Sequence, residues 1–281
     1  MTYAEAIRFG TDTLSKAGIE DPSTEAVMFL CSAIQKDRAH IYTHPLYEIN
    51  KGEIKLFTEN IRRRAEHMPA QYILGRQEFM SLDFYVNPAV LIPRPETELL
   101  VEAAILHLGE RQANVLDIGT GSGCIAISVA YYQRQCRVVA TDISAEALKV
   151  AALNADNAGV TDRVELVNSN LFKNLAGRKF DVILSNPPYI PTGDIHKLDP
   201  EVRSYEPFKA LDGGADGLDA IRSIIDEAPA FLNKGGLLAI EIGIGQSEDV
   251  RKIMKDSFEN IEIIKDLQRI PRVLVGRIRK N

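Results

Sequence analysis

From the first residue to about Met68, apolar side chains recur at the spacing of a helix face, and strand-like alternation is absent. Ala6, Phe9 and Leu14 form one such series, Ala26, Val27, Leu30 and Ile34 a second, and Ile54, Phe57 and Ile61 a third. Gly18, Asp21-Pro22-Ser23 and His44-Pro45 interrupt the pattern with turn and cap chemistry, so a small bundle of four or five helices is expected. Between Gln71 and Pro95, aromatic and β-branched residues broken by Gly75, Asn87 and Pro88 predict a hairpin or a pair of short strands. From Asn114 onward the pattern changes again. Val115–Ile118, Val138–Ile143, Val164–Val167, Val182–Ser185 and Leu237–Ile242 are short apolar runs of the kind buried on both faces. Helical stretches at Ile125–Tyr132, Ala145–Ala158 and Leu218–Leu232 separate them, which implies a parallel sheet covered by helices on both sides. Ile261–Leu267 and Val273–Ile278 follow each other too closely for a crossover helix and should pair antiparallel. The expected organisation is a helical domain over 1–70, a hairpin linker over 71–96 and an α/β domain over 97–281.

Composition narrows this little. The 281 residues are 45% apolar and 26% charged, ordinary values for a globular chain that buries a sizeable core without disulfides. Cys31, Cys124 and Cys136 show no Cys-x-x-Cys spacing and no neighbouring histidine cluster, so metal binding is set aside and the thiols read as those of a reducing compartment. The net charge of −6 argues against stable nucleic-acid binding. The first residues lack the basic start and apolar run of a signal peptide, and no stretch is long and apolar enough to span a bilayer. A cytoplasmic location is expected. Arg62-Arg63-Arg64 reads as the solvated last turn of a helix, where cations complement the macrodipole.

Two segments carry chemistry. Asp117-Ile118-Gly119-Thr120-Gly121-Ser122-Gly123 joins an expected strand to an expected helix, and its glycines let the backbone approach a ligand. Asp142 ends the next strand, where a carboxylate accepts from both ribose hydroxyls of an adenosine-containing cofactor. A dinucleotide fingerprint spaces its glycines G-x-G-x-x-G to seat a pyrophosphate; here the spacing is G-x-G-x-G, with Asp117 two residues ahead. The loop resembles the cofactor loop of class I S-adenosylmethionine methyltransferases, and that resemblance implies S-adenosylmethionine as the expected cofactor; a carboxylate at Asp117 would support its ammonium group and would repel a pyrophosphate.

The second segment, Asn186-Pro187-Pro188-Tyr189, follows the fourth apolar run, and so lies beyond the carboxyl end of its strand, where open α/β sheets bind ligands. Two prolines remove two backbone donors and leave carbonyls as acceptors. The Asn186 side-chain oxygen and the Pro187 carbonyl would hold the two hydrogens of a substrate –NH2, and Tyr189 would stack on the planar group. Acceptors on both N–H bonds turn the nitrogen lone pair towards the methyl donor and stabilise the charge growing on nitrogen. No general base of unusual pKa is needed, and His196 is read as a polar loop residue.

These segments, with Pro69–Gly75, Leu91–Glu98 and Glu201–Leu218, resemble the HemK/PrmC family across nearly the whole chain. The resemblance implies a class I, Rossmann-like methyltransferase sheet with helices on both faces and an antiparallel last strand, plus a small N-terminal helical bundle that recognises substrate. It implies methylation of the glutamine of the Gly-Gly-Gln motif in peptide-chain release factors. Gly119 to Gly123 and Asp142 would bind cofactor, bordered by Asn186; Asn170, Leu171 and Phe172 would lie beside the adenine; and Asn186, Pro187, Pro188 and Tyr189 would hold the glutamine amide. Asn170 departs from the family's usual Asp and should weaken cofactor binding without abolishing it. A second departure is Asp266–Arg272, where the family has a glycine before the final basic residue. Glu201–Pro207, followed by Gly213-Gly214, reads as a long non-regular lid. Alternatives are glutamine methylation of a ribosomal protein, adenine N6 methylation of DNA, and a non-catalytic translation-factor binder. The chain is expected to be a monomer.

Overall fold

In the computed structural model, which describes residues 1–279, the chain opens with five helices: α1 (Tyr3–Lys16), α2 (Pro22–Ile34), α3 (Arg38–Thr43), α4 (Lys51–Ala65) and α5 (Ala70–Leu74). Their starts follow from local chemistry. Thr2 and Glu5 form a reciprocal capping box at α1, Asn50 and Glu53 another at α4, and the Asp37 side chain accepts from the His40 N–H at α3. Phe29, Leu30, Phe57 and Ile61 are fully buried between these helices. Each such side chain contributes about 1.5–3 kcal/mol through the apolar surface it removes from water.

Residues 1–75 form one compact unit, joined by 199–205 from much later in the chain. That late segment holds α9 (Pro200–Tyr205) and corrects the reading of Glu201–Pro207 as non-regular. Its place follows from Arg64, which is buried at the end of α4 and reaches Glu25 (Nε–Oε2 2.5 Å) and Glu201 (Nη2–Oε1 2.6 Å). The Tyr205 hydroxyl donates to the Glu66 carbonyl at 2.6 Å. Of the three arginines read as solvated, Arg62 is exposed among Glu59 and Glu66, whereas Arg64 is an internal ion-pair centre.

The second unit covers 76–198 and 206 onward. It begins with a hairpin, β1 (Arg76–Phe79) and β2 (Leu82–Tyr85), followed by a 3-10 turn at Pro95–Thr97 and α6 (Glu98–Leu108). Then come β3 (Ala113–Ile118), α7 (Cys124–Tyr132), β4 (Cys136–Asp142), α8 (Ala145–Asn157), β5 (Val164–Asn168) and β6 (Phe180–Ser185). Past α9 the chain adds α10 (Phe208–Leu211), α11 (Asp219–Glu227), β7 (Leu232–Glu241), α12 (Ser247–Met254), β8 (Phe258–Lys265) and β9 (Pro271–Ile278). Leu232, read as the end of a helix, opens β7 instead, because Ala228-Pro229-Ala230 tightens into a 3-10 turn that ends the helical run.

The sheet order is β5-β4-β3-β6-β7-β9-β8, with β9 alone running against its neighbours. Successive side chains of the central strands point to opposite faces. Val115, Val182, Leu184 and Leu237 enter the core under α6 and α7, and Leu116, Ile183, Leu238 and Ile240 enter the core under α11 and α12. The chain winds outward from β3 to β5, then restarts at β6 on the other side of β3. This is the switch point at which such sheets bind ligands. Ser185 pairs with Ile118, so the loops leaving β3 and β6 begin side by side.

The turn between β8 and β9 explains the departure at Asp266–Arg272. Asp266 accepts from the N–H groups of Gln268 and Ile270 (both 2.9 Å) and from Arg272 Nε (2.7 Å), while Arg269 sits at φ +64°. That left-handed conformation costs a residue with a Cβ about 1–2 kcal/mol, and glycine little. Arg269→Gly should therefore raise stability by about 0.5–1 kcal/mol after its larger unfolded-state entropy is counted. Chemical denaturation measures this; an unchanged or lower midpoint contradicts the strain.

Candidate functional site

The loops beyond β3, β4, β5 and β6 surround a cavity of about 560 Å³, within the usual range for a small-molecule site. Gly119, Thr120, Gly121 and Ser122 line it from the loop after β3, and Asp142 from the end of β4. Asn170 and Leu171 contribute after β5, and Asn186, Pro187 and Pro188 after β6. These residues, named from the sequence, share one cavity.

Four others do not lie on its wall. Asp117 is fully buried behind the glycine loop and accepts from the Thr120 hydroxyl at 2.6 Å, which braces that loop from beneath. Its other oxygen, Oδ1, is buried with no hydrogen-bond partner among the described residues. Gly123 is a packing position: at φ +84°, a Cβ there would meet Ile127 Cδ1 at 2.7 Å and Ala151 Cβ at 3.2 Å. Phe172 is a core residue stacked on Phe231, with ring centroids 4.6 Å apart. Tyr189 is not on the cavity wall, and its hydroxyl lies 3.5 Å from Glu241 Oε1. All four sit close to the site in sequence, and sequence proximity does not reveal which way a side chain points.

The cofactor side is held by backbone donors. Asp142 Oδ2 accepts from the Gly121 N–H at 2.9 Å and Oδ1 from the Ser144 N–H at 2.8 Å, which fixes the carboxylate at the cavity wall. A Cβ at Gly119 or Gly121 would meet nothing within 4 Å, so open space lies over the loop. This arrangement fits an adenosine-containing ligand. Asp142 would take the ribose, Asn170 and Leu171 would border the base, and Gly119 and Gly121 would let the tail approach the backbone.

On the substrate side, Asn186 Nδ2 donates to Thr97 Oγ1 at 3.1 Å. This leaves the Asn186 side-chain oxygen free to accept. Thr97 ends the 3-10 turn before α6, lines the cavity and is only 2% exposed. The Leu91–Glu98 segment was visible as a sequence signature, but nothing in its spacing assigned Thr97 a partner 89 residues away. Phe208, 56% exposed, also lines the cavity and likewise escaped the sequence reading. The backbone after Asn186 is clamped: Ile190 N–H donates to Leu211 O, Gly213 N–H to Ile190 O, and Gln246 Nε2 to Tyr189 O. A Cβ at Gly213 would come within 2.8 Å of the Pro188 carbonyl, so only glycine allows this approach.

Two carboxyls beside the cavity have unusual acidity. Burial pushes Asp117 up to about 7, opposed by the Thr120 hydroxyl. Burial pushes Glu241 up to about 7 as well, opposed first by Thr97. Neither lines the cavity, so neither is placed to take a proton from a bound substrate. Both are raised groups whose ordinary values are 3.8 and 4.5, so holding the proton stabilises the fold below those values, and the contribution is lost as pH rises through 7. Each group adds a slope of up to about 1.4 kcal/mol per pH unit. The melting temperature should therefore fall between about pH 5 and pH 7, and Asp117→Asn and Glu241→Gln should each remove roughly half of that slope. Slopes unchanged in both variants contradict the assignment.

A glycine loop and an Asn-Pro-Pro-Tyr loop, set side by side at the switch point of a seven-stranded sheet whose last strand is antiparallel, define a class I, Rossmann-like methyltransferase. The family model described as "Methyltransferase small domain" matches residues 95–198, and the "PrmC N-terminal domain" model matches residues 5–75. A release factor glutamine methyltransferase from Geobacter sulfurreducens is 45% identical over 94% of this chain and 93% of its own. Another from Koribacter versatilis is 41% identical over 99% of both chains. The chain belongs to the release factor glutamine methyltransferase family, and it is a methyltransferase.

Solved structures at lower identity share the fold. They include a ribosomal protein L11 methylase from Lactobacillus delbrueckii subsp. bulgaricus, with a TM-score of 0.52 and 21% identity over 69% of this chain and 84% of that one. A methyltransferase from Pyrococcus furiosus gives a TM-score of 0.54 and 20% identity over 77% of this chain and 98% of that one. No helix among the described residues is long and apolar enough to cross a membrane.

Proposed function

We propose that the enzyme transfers a methyl group from S-adenosylmethionine to the side-chain amide nitrogen of the glutamine in the Gly-Gly-Gln motif of peptide-chain release factors. The observation that carries this reading is the orientation of Asn186: its –NH2 is spent on Thr97, so the side chain presents an acceptor to the cavity that also holds the glycine loop. Among the described residues no donor occupies the Pro187 carbonyl, which offers a second acceptor. Two acceptors suit a planar –NH2 and repel a carboxylate.

The cofactor, when bound, supplies an electrophilic methyl on a sulfonium. Asn186 and the Pro187 carbonyl fix the orientation of the amide so that its lone pair is available for in-line attack, and they stabilise positive charge on nitrogen as it develops. The predominantly apolar wall, including Leu91, Pro93 and Ile224, excludes competing water from the reacting amide. The released proton leaves a nitrogen that methylation has made acidic, so no wall residue has to remove it beforehand. The helical unit, whose residues 5–75 match the PrmC N-terminal domain model, would dock the release factor.

The test is transfer of label from radiolabelled S-adenosylmethionine to a purified, unmethylated release factor, a Gly-Gly-Ala variant of it, a ribosomal protein L11 and DNA. Label on the wild-type factor alone is the expected result; label on the ribosomal protein or on DNA, and none on the factor, overturns it.

A further inference from the structure

We propose that Phe208 is a substrate-binding residue whose ring covers one face of the target glutamine side chain, while Asn186 and the Pro187 carbonyl hold its edge. This rests on the reading of the cavity as a site of glutamine methylation. It adds what fixes the plane of the amide.

A planar amide offers edges and two faces. Its two N–H bonds lie in the plane, so the two acceptors meet it edge-on. The nitrogen lone pair is delocalised perpendicular to that plane, so the methyl group must arrive at one face. The opposite face is left for an apolar partner, and an aromatic ring suits it because the ring is flat, rigid and excludes water. A side chain held only at its edge can rock about that edge; a ring against its face stops the motion and keeps the nitrogen aligned with the methyl donor.

The cavity wall supplies such a ring. Among the described residues, Phe208 of α10 is the only aromatic side chain that lines the cavity. It is 56% exposed and belongs to none of the buried clusters, so the ring serves no core. An apolar ring left in water at a cavity wall gains from any ligand that covers it.

Both flanks of Phe208 are tied to the segments that build the substrate side. Just before it, the buried Glu206 carboxylate is ion-paired with Arg94. Arg94 lines the cavity and caps the 3-10 turn that carries Thr97, the hydrogen-bond partner of Asn186. Just after it, Leu211 O accepts from the Ile190 N–H at 3.0 Å, and the Gly213 N–H donates to Ile190 O at 2.9 Å. The end of α10 therefore runs beside the residue that follows Asn186–Tyr189. The Asp212 N–H closes the turn onto Phe208 O at 3.0 Å. Phe208 is thus held from one side by the segment that orients Asn186 and from the other by the segment that contains it.

Phe208→Ala removes the ring from an exposed position, so the melting temperature should stay within about 2 °C of the wild type. With saturating cofactor, kcat/KM for the release factor should fall about 10- to 100-fold, the scale of one covered aromatic ring. Kd for S-adenosylmethionine should stay within about twofold. Phe208→Tyr, which keeps the flat face, should recover most of the loss, and Phe208→Leu only part of it. An unchanged kcat/KM in Phe208→Ala, or a loss matched by weaker cofactor binding, overturns the inference. A binding measurement decides it separately. The chain has no tryptophan, so Phe208→Trp sets a single reporter on the cavity wall. With S-adenosylhomocysteine already bound, a tryptophan-free Gly-Gly-Gln peptide, at concentrations that inhibit transfer to the release factor, should move the emission to shorter wavelength as the indole leaves water. Emission that the peptide does not move overturns the inference, and emission that moves only when S-adenosylhomocysteine binds assigns the ring to the cofactor instead. If the wild type labels no release factor, the substrate reading fails and this inference falls with it. If the wild type labels the factor and Phe208→Ala does so with the same kcat/KM, this inference alone fails.

Discussion

Asn186→Ala should lower kcat for methyl transfer by about a hundred- to a thousand-fold, the cost of removing one preorganised group that stabilises developing charge, about 2.7–4 kcal/mol. The side chain is half-buried, sits at the end of β6 and makes one side-chain hydrogen bond, to Thr97, so its loss leaves no large cavity and folding should be retained. Cofactor binding rests on the loops after β3, β4 and β5, and Kd for S-adenosylmethionine should change by less than about tenfold, or 1.4 kcal/mol. Calorimetric titration of the cofactor and single-turnover transfer, on the same protein preparation, separate the two effects. A loss of cofactor binding that accounts for the whole loss of activity would make Asn186 a cofactor residue; transfer at the wild-type rate would remove it from the mechanism.

The second large effect concerns the substrate. A release factor carrying Gly-Gly-Glu in place of Gly-Gly-Gln should be a worse substrate by about ten-thousand-fold or more in kcat/KM, as for sites built to pair a substrate –NH2. The carboxylate would face the Asn186 oxygen and the Pro187 carbonyl, two acceptors without a proton between them. Shape does not discriminate, because the two side chains are nearly isosteric. Competition experiments in which the Gly-Gly-Glu factor still binds the enzyme, with micromolar or tighter inhibition unchanged, would locate the selectivity in the site. Equal transfer to both would refute the two-acceptor arrangement.

Much of this architecture was legible in the sequence because period and punctuation carry it. The buried strands are unbroken apolar runs, and a sheet residue such as Val115 or Ile183 is dictated by burial on both faces. The glycine loop and the Asn-Pro-Pro-Tyr loop could be placed on one edge because parallel strands put all their carboxyl ends on that edge. What the sequence hid is side-chain direction and long-range pairing. Tyr189 follows three cavity residues yet is not on the cavity wall, and Asp117 leads the glycine loop yet lies beneath it. Thr97 reaches Asn186 only because a 3-10 turn before α6 is carried over the end of β6, a juxtaposition without local signature. Likewise α9 reads as loop, since six residues with a proline at their start show no helical period, and its partner Arg64 is 137 residues away from Glu201.

The most direct test of the central claim is fragmentation mass spectrometry of a release factor after reaction with this enzyme and S-adenosylmethionine. The account predicts a single added methyl on the side-chain nitrogen of the Gly-Gly-Gln glutamine, formed about a hundred- to a thousand-fold more slowly when Asn186→Ala replaces the wild-type enzyme. A methyl on any other residue of the factor, or none on the factor while another macromolecule is methylated, would contradict it.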